Sequence, residues 1–417
     1  MSTAAHPKLD LGEFKLGWHV LLLAALGVAT NASGMLLYGF GVMVLPLEQA
    51  FGWGRAEMQV AMSFVFGGAV LSSQVAGWLN LRYGLRAVSV VSLVVLSLGY
   101  LGLTLLQGSI MSLYLAFALL PLLGVGTLQI TWTQIVNLWY HRNRGLALSI
   151  ILSGTGITAA VMPPLITWAI SRWDWRAGFV LMALPTALLT LPLAWRWLPG
   201  RESLTAPSTP GSSPTAGQPA APITGMAFSQ AVRSWRFWSL TAALMLGTAG
   251  IMGMVTNGVP MLRDKGMPAA QAAQLFGSFG LALVAGRVCV GYCLDRLWPA
   301  AVAAFSMLLP TVGCLLFLVV DTPPLLLLAT VLVGIGAGAE FDLAAFLVAR
   351  YFGLRDYGRI FGLHIGFLTA GTAIAPLIFA SLFKLTGAYT GMLTVSAASF
   401  GMAAVLLLLL GRAPERA

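Results

Sequence analysis

Twelve stretches of this sequence are each long and apolar enough to cross a lipid bilayer, and that property restricts the chain more than any motif it contains. A spanning helix needs ~20 mostly apolar residues at a rise of 1.5 Å each. Runs bounded by charge, proline or glycine fall at about 18–47, 56–80, 87–106, 109–137, 145–171, 177–198, 237–262, 269–294, 300–320, 324–349, 360–383 and 388–411. Hydrocarbon offers backbone amides no partner, so each run must satisfy its own, as a helix does. The expectation is an all-α integral membrane protein with twelve transmembrane helices.

Composition agrees and excludes the main rivals. The 417 residues are 58% hydrophobic and only 9% charged, against roughly 25% charged in soluble domains. A soluble globular fold, disorder and a nucleic-acid binder are all excluded, because so few charges cannot solvate a surface of this size. The net charge of +10 then needs another meaning. With the amino terminus placed in the cytoplasm, sixteen Lys and Arg fall in cytoplasmic segments and six outside, while Arg287 lies within a span. Acidic residues split almost evenly, which is the pattern of the positive-inside rule. A multi-pass protein of the cell (inner) membrane with both termini cytoplasmic is expected. The first apolar run is too long for a cleavable signal and eleven others follow, so it reads as the first helix.

Other chemistries lack their residues. Cys289, Cys293 and Cys314 lie in apolar runs and read as packing. His6, His19, His141 and His364 are scattered without zinc spacing. The four lysines have no glycine-rich phosphate loop around them. No metal, cofactor or enzymatic activity is expected.

Residues 200–232 are rich in Pro, Ser, Gly and Ala and read as a cytoplasmic linker. They split the spans six and six, giving an amino-terminal bundle at 1–199 and a carboxyl-terminal bundle at 233–417. A shift of 214 places Pro46 on Pro260, Gly52 on Gly266, Gly77 on Gly291 and Arg82 on Arg296. A shift of 215 places Arg144 on Arg359 and Gly156 on Gly371. The Pro and Arg matches in one register indicate an internal duplication.

With these features the chain resembles the major facilitator superfamily. "GWLNLRYGLR" from Gly77 is similar to the superfamily's Gly-x-x-x-Asp-Arg-x-Gly loop, with Leu81 where the acid belongs; "GYCLDR" from Gly291 keeps the acid as Asp295. The resemblance implies a cytoplasmic gate formed by Gly77, Arg82, Gly291, Asp295 and Arg296, with Asp295 its bearer of charge. It also implies two pseudo-symmetric six-helix bundles, the major facilitator fold, rocking about a central site. "LWYHRNRGLALSIILSGTG" from Leu138 resembles the fifth-helix signature of the monocarboxylate and oxalate/formate transporter branch. "YGFGVMVLPLEQAFGWGRAEMQ" from Tyr38 and "GAEFDLAAFLVARYFGLRDYGRIFG" from Gly338 resemble its bacterial members.

Charges at bilayer depth mark functional sites because hydrocarbon cannot solvate them. Arg287 lies about 7 residues from the cytoplasmic end of the eighth span, and its planar fork matches a carboxylate. The resemblance aligns it with the arginine that binds substrate carboxylate in the monocarboxylate branch, while Leu283 replaces an acid found one turn earlier in animal members. The alternative is that Arg287 pairs with Glu340 or Asp342. These two acids stand about 200° apart round one helix, so one is expected to face the cavity and the other to pack against a neighbouring helix or reach the cytoplasmic surface. Glu340, nearer mid-membrane, is the favoured proton carrier, with Asp342 and His364 as further candidates. Asn31, Tyr38, Gln129, Thr133, Ser153 and Asn257 are candidate substrate contacts or interhelical bridges. Trp132 and Phe341 are candidate apolar walls.

The resulting expectation is a secondary active transporter of a small organic anion, a monocarboxylate, with proton symport or exchange. Its partners are that anion, protons and the bilayer, and no obligate protein partner is expected. Export of a hydrophobic drug or metabolite, or a transporter-like membrane sensor, are the alternatives.

Overall fold

The computed structural model describes residues 11–198 and 224–413. Twelve helical passes follow the twelve apolar runs. The second (Arg55–Tyr83), seventh (Trp235–Asp264), eighth (Ala269–Leu294), ninth (Pro299–Val319), tenth (Pro323–Phe352), eleventh (Tyr357–Thr386) and twelfth (Thr390–Leu409) are single α-helices. Among the described residues nine helices are long and apolar enough to cross a membrane. Helix starts at Leu11, Arg144, Trp235 and Tyr357 and ends at Tyr83, Trp197, Leu294, Phe352 and Leu409 share one face, called here the terminal side.

The amino half departs from the expected straight spans. Its first pass breaks between Leu11–Ala29 and Ala32–Gly39, then continues through a 3-10 turn into Val44–Phe51. Asn31 makes the break: its amide donates to the Val28 carbonyl at 2.5 Å while its side-chain oxygen accepts from Gly34 N at 2.8 Å. An asparagine that caps a new helix in this way competes with the i+4 ladder. The fourth pass is Ile110–Leu123 and Gln129–Trp139, joined by a 3-10 turn. The fifth is Arg144–Leu152 and Gly154–Arg172, interrupted at Ser153. The sixth carries a π-helical turn at Thr186–Thr190, just after Pro185.

Close backbone approach at glycines brings the helices into register. A Cβ on Gly338 of the tenth span would lie 2.0 Å from the Leu283 carbonyl oxygen, and one on Gly334 would lie 2.7 Å from the Phe279 carbonyl oxygen. The eighth and tenth spans therefore touch main chain to main chain, which small residues alone permit. Gly27 leaves room for a side chain instead, the Trp132 ring, which a Cβ there would overlap.

The expected linker at 200–232 lies outside the described residues up to 223. Its last nine residues pack rather than float. Met226 N donates to the Phe352 carbonyl at 2.8 Å, Leu354 N to the Thr224 carbonyl at 3.1 Å, and Phe228 N to Asp356 Oδ2 at 2.7 Å. The Arg359 guanidinium lies over the Phe228 ring at 4.5 Å. Two apolar residues in a polar stretch, Met226 and Phe228, are thereby placed against the bundle.

Candidate functional site

The two halves meet along a ladder of contacts on the terminal side. A Cβ on Gly77 would lie 2.2 Å from the Gly358 carbonyl carbon and 2.3 Å from Arg359 N, so the second and eleventh spans touch by their backbones. Gln74 Nε2 reinforces this by donating to the Gly362 carbonyl at 3.2 Å. On the opposite side of the pseudo-symmetry, Gly291 faces Gly145 of the fifth span, where a Cβ would lie 2.7 Å from the Gly145 carbonyl oxygen. Tyr357 OH donates to Thr133 Oγ1 at 3.1 Å, so Thr133 joins this seam.

Asp295 closes the end of the ladder. Its carboxylate accepts from Gly145 N at 2.6 Å and Leu146 N at 3.0 Å, across the halves. Helix starts leave such N–H groups without intrahelical partners, and an anion there meets the positive end of the dipole. Burial pushes the Asp295 carboxyl up to about 6, against the lowering effect of the two backbone donors and of Arg296 and Arg144. The duplicate position holds Leu81, so the clasp is one-sided. Arg82 and Arg296 do not cross the seam. The Arg82 guanidinium lies over the Trp78 and Tyr83 rings, both 5.7 Å away, and Arg296 over Tyr292 at 3.6 Å.

Glu13 was not singled out from the sequence, yet it supports the same helix start. Its carboxylate accepts from His141 N at 2.5 Å, Arg142 N at 3.2 Å, Asn143 N at 2.9 Å and Asn143 Nδ2 at 3.0 Å. The available signal was an acid in the first turn of the chain's first helix, which gives no hint of a partner some 130 residues later.

Arg287 forms the last polar rung described on the fifth–eighth ladder. It is 5% exposed. Its Nε donates to the Gly338 carbonyl at 3.1 Å, and its Nη1 reaches the Leu152 carbonyl and, at 3.4 Å, Thr155 Oγ1. Leu152 can accept because the helix is interrupted at Ser153: Gly156 N turns to the Ser153 carbonyl instead. Broken helices at mid-membrane supply acceptors in this way. Asp342 stands beside the guanidinium, Oδ1 to Nε 3.5 Å, and its Oδ2 accepts from Ser149 Oγ at 2.6 Å. Among the described residues no acceptor meets Arg287 Nη2.

Glu340 and Asp342 are both buried, because the tenth span is enclosed nearly all round at that depth. Tyr38 and Glu340 lie within electrostatic reach of Arg287. Ser153 Oγ returns to the Ser149 carbonyl at 2.8 Å, and Phe341 is half-buried on the tenth span.

Other predicted residues sit apart from this cluster. Trp132 is fully buried against Gly27 with its indole N–H on the Thr127 carbonyl, so it packs the first span onto the fourth. Asn31 caps the break described above. Gln129 is half-buried at the start of its helix, and Asn257 Nδ2 donates to the Gly253 carbonyl at 3.0 Å. His364 lies between Phe237 and Phe352, ring centroids 4.4 and 6.2 Å away, with Nδ1 on the Ile360 carbonyl. It is buried among these aromatics. A cleft of about 460 Å³ between the third and fourth spans, lined by Gly99, Leu103 and Leu120, contains none of the candidates and no charge.

The sequence model of the Major Facilitator Superfamily matches residues 26–321 and 260–417. The chain belongs to the Major Facilitator Superfamily. As a member of it, the protein is a multi-pass membrane transporter and not an enzyme. Monocarboxylate transporter 13 of Bos taurus is 27% identical over 389 residues, covering 92% of this chain and 86% of that protein. A gallate transporter of Pseudomonas putida is 27% identical over 420 residues, with 88% of each covered. A crystal structure of a bacterial homologue of the iron transporter ferroportin superposes with a TM-score of 0.71 at 15% identity, covering 95% of this chain and 99% of the other. That likeness shows the major facilitator fold, with its twelve helices in two bundles of six.

Proposed function

We propose that this transporter carries a small organic anion, a monocarboxylate, and that Arg287 binds its carboxylate. The observation that carries the reading is the uneven use of the guanidinium. Nε and Nη1 are held by Gly338, Leu152 and Thr155, which fixes the fork in place. Among the described residues Nη2 meets no acceptor, and a buried guanidinium with a spare donor edge is a strong selector for a planar anion. The names of the relatives from Bos taurus and Pseudomonas putida support the same substrate class.

The terminal side is read as cytoplasmic, from the excess of Lys and Arg in its segments. The units at 1–199 and 233–417 then rock about Arg287, with 200–232 joining them. In the state described here they are sealed on the cytoplasmic side by Gly77, Gly145, Gly291 and Asp295. Release to that side breaks this seam, and transport runs with a proton or in exchange.

The test is a thermal-shift screen of purified protein against acetate, lactate, pyruvate, benzoate, succinate and a lipophilic cation, followed by proteoliposome uptake. Stabilisation by at least one monocarboxylate is expected, lost in Arg287→Lys because an ammonium cannot hold the same three acceptors and present a free N–H pair. Uptake should fall at least ten-fold in Arg287→Ala. Full uptake by that variant, or a shift with the lipophilic cation alone, overturns the reading.

A further inference from the structure

Asp342 is a buried carboxylate that touches both halves inside the membrane. Its Oδ2 meets Ser149 Oγ of the amino half at 2.6 Å, and its Oδ1 lies 3.5 Å from Arg287 Nε of the carboxyl half. Gly291 makes room for the Ser149 hydroxyl, since a Cβ there would stand 2.0 Å from the hydroxyl oxygen. The hydroxyl has one proton and two acceptors within reach, Asp342 Oδ2 and, at 3.0 Å, the Gly145 carbonyl.

That arrangement tolerates two protonation states without moving a heavy atom. An ionised Asp342 accepts the Ser149 hydrogen bond. A protonated Asp342 donates from Oδ2 to Ser149 Oγ, and the hydroxyl turns to the Gly145 carbonyl. The two states differ in what they leave for Arg287. Ionised, Asp342 balances the guanidinium; protonated, it leaves a positive charge that a bound carboxylate can balance. The guanidinium is thus matched by one carboxylate in both cases, its own acid before uptake and the bound anion after it.

We propose that Asp342 takes up the proton that accompanies the anion, one proton for each carboxylate, and that Ser149 is the positioning residue that keeps it within reach of both halves. This rests on the reading of Arg287 as the anion site. The proton comes from a hydronium ion, which becomes water, and returns to water on the other side; only O–H bonds are made and broken. Arg287 on the eighth span and Glu340 on its own helix are the charged groups near Asp342, while the fifth span presents Ser149 and Thr155 there. Arg144 of the fifth span is held farther down, by the Tyr140 and Asn137 carbonyls. Glu340 makes no described contact with the amino half, so a proton on it would leave the seam unchanged.

The experiment uses the full chain in proteoliposomes with whichever of radiolabelled lactate, pyruvate or benzoate the wild-type protein accumulates under an inward proton gradient. Asp342→Asn should lose gradient-driven accumulation at least ten-fold and keep counterflow exchange of the same anion, which also shows that it is folded. Glu340→Gln should keep gradient-driven accumulation. Ser149→Ala should retain accumulation with its pH midpoint raised by up to about one unit, since both states lose a hydrogen bond and the ionised state loses the stronger one. Gradient-driven accumulation by Asp342→Asn at the wild-type level, its loss in Glu340→Gln, or an unmoved midpoint in Ser149→Ala overturns the proposal. Failure of the wild-type protein to bind or move any monocarboxylate would instead overturn the Arg287 reading beneath it.

Discussion

Replacing Gly77 by alanine should push the two halves apart on the terminal side. The new methyl carbon would stand 2.2 Å from the Gly358 carbonyl carbon and 2.3 Å from Arg359 N. Non-bonded carbon atoms settle at ~3.5–4.0 Å, so the gap must widen by roughly 1.5 Å. Both obstructing groups are main chain, and no rotamer can relieve the contact. The strain falls only on the state in which the halves touch there. Overpacking of this kind costs about 1–3 kcal/mol, which moves a two-state equilibrium roughly five- to 150-fold. Spin labels at Tyr83→Cys and Arg355→Cys, both exposed at the terminal side, would report the separation by electron–electron resonance once Cys289, Cys293 and Cys314 are replaced. The distance distribution in Gly77→Ala should gain a longer component at the expense of the shorter one. Gly67→Ala, in the same helix but with nothing within 4 Å of the added atom, should leave the distribution alone. An unchanged distribution and unchanged uptake in Gly77→Ala would refute the argument that this contact seals the protein.

Closure should depend on pH through Asp295, whose carboxyl is pushed up to about 6 in the sealed state by burial and returns toward about 3.9 when hydrated. The sealed state therefore binds the proton more strongly, so the proton's contribution to sealing is full in acid and fades as pH rises through about 6; cysteine accessibility on the terminal side should increase over that window and lose the trend in Asp295→Asn. Leu81→Asp should supply the missing half of the clasp, with slower turnover and a terminal side less accessible to thiol reagents. Glu13→Ala should lower thermal stability by about 1–3 kcal/mol, because four donors lose one charged acceptor at a partly exposed site; an unchanged melting temperature would count against its role in holding the loop.

Hydropathy made the passes readable because each span must close its own hydrogen bonds. Their breaks were harder. Asn31 and Ser153 look like ordinary polar residues in an apolar run, and only the tertiary contacts decide whether such a residue bridges helices or ends one. Arg287 was legible for a simple reason: a charge in hydrocarbon has few bland explanations. The ranking of Glu340 over Asp342 rested on depth along one helix, whereas partnership depends on which helix lies opposite, and Ser149 is 193 positions away. Thr133 and Trp132 show the same limit, since a residue's membrane depth does not distinguish a cavity wall from a seam.

The start of the fifth helix is held by two acids with different allegiances. Glu13 belongs to the same half and travels with it, whereas Asp295 belongs to the other half and must leave when the seam parts. Of the N–H groups these acids satisfy, three at 141–143 stay occupied throughout and only those of Gly145 and Leu146 are given up. Water at the membrane surface can replace that pair at small net loss. A turnover cycle requires its closed gate to be firm and also cheap to open, and dividing one helix terminus between a permanent tenant and a visitor meets both requirements.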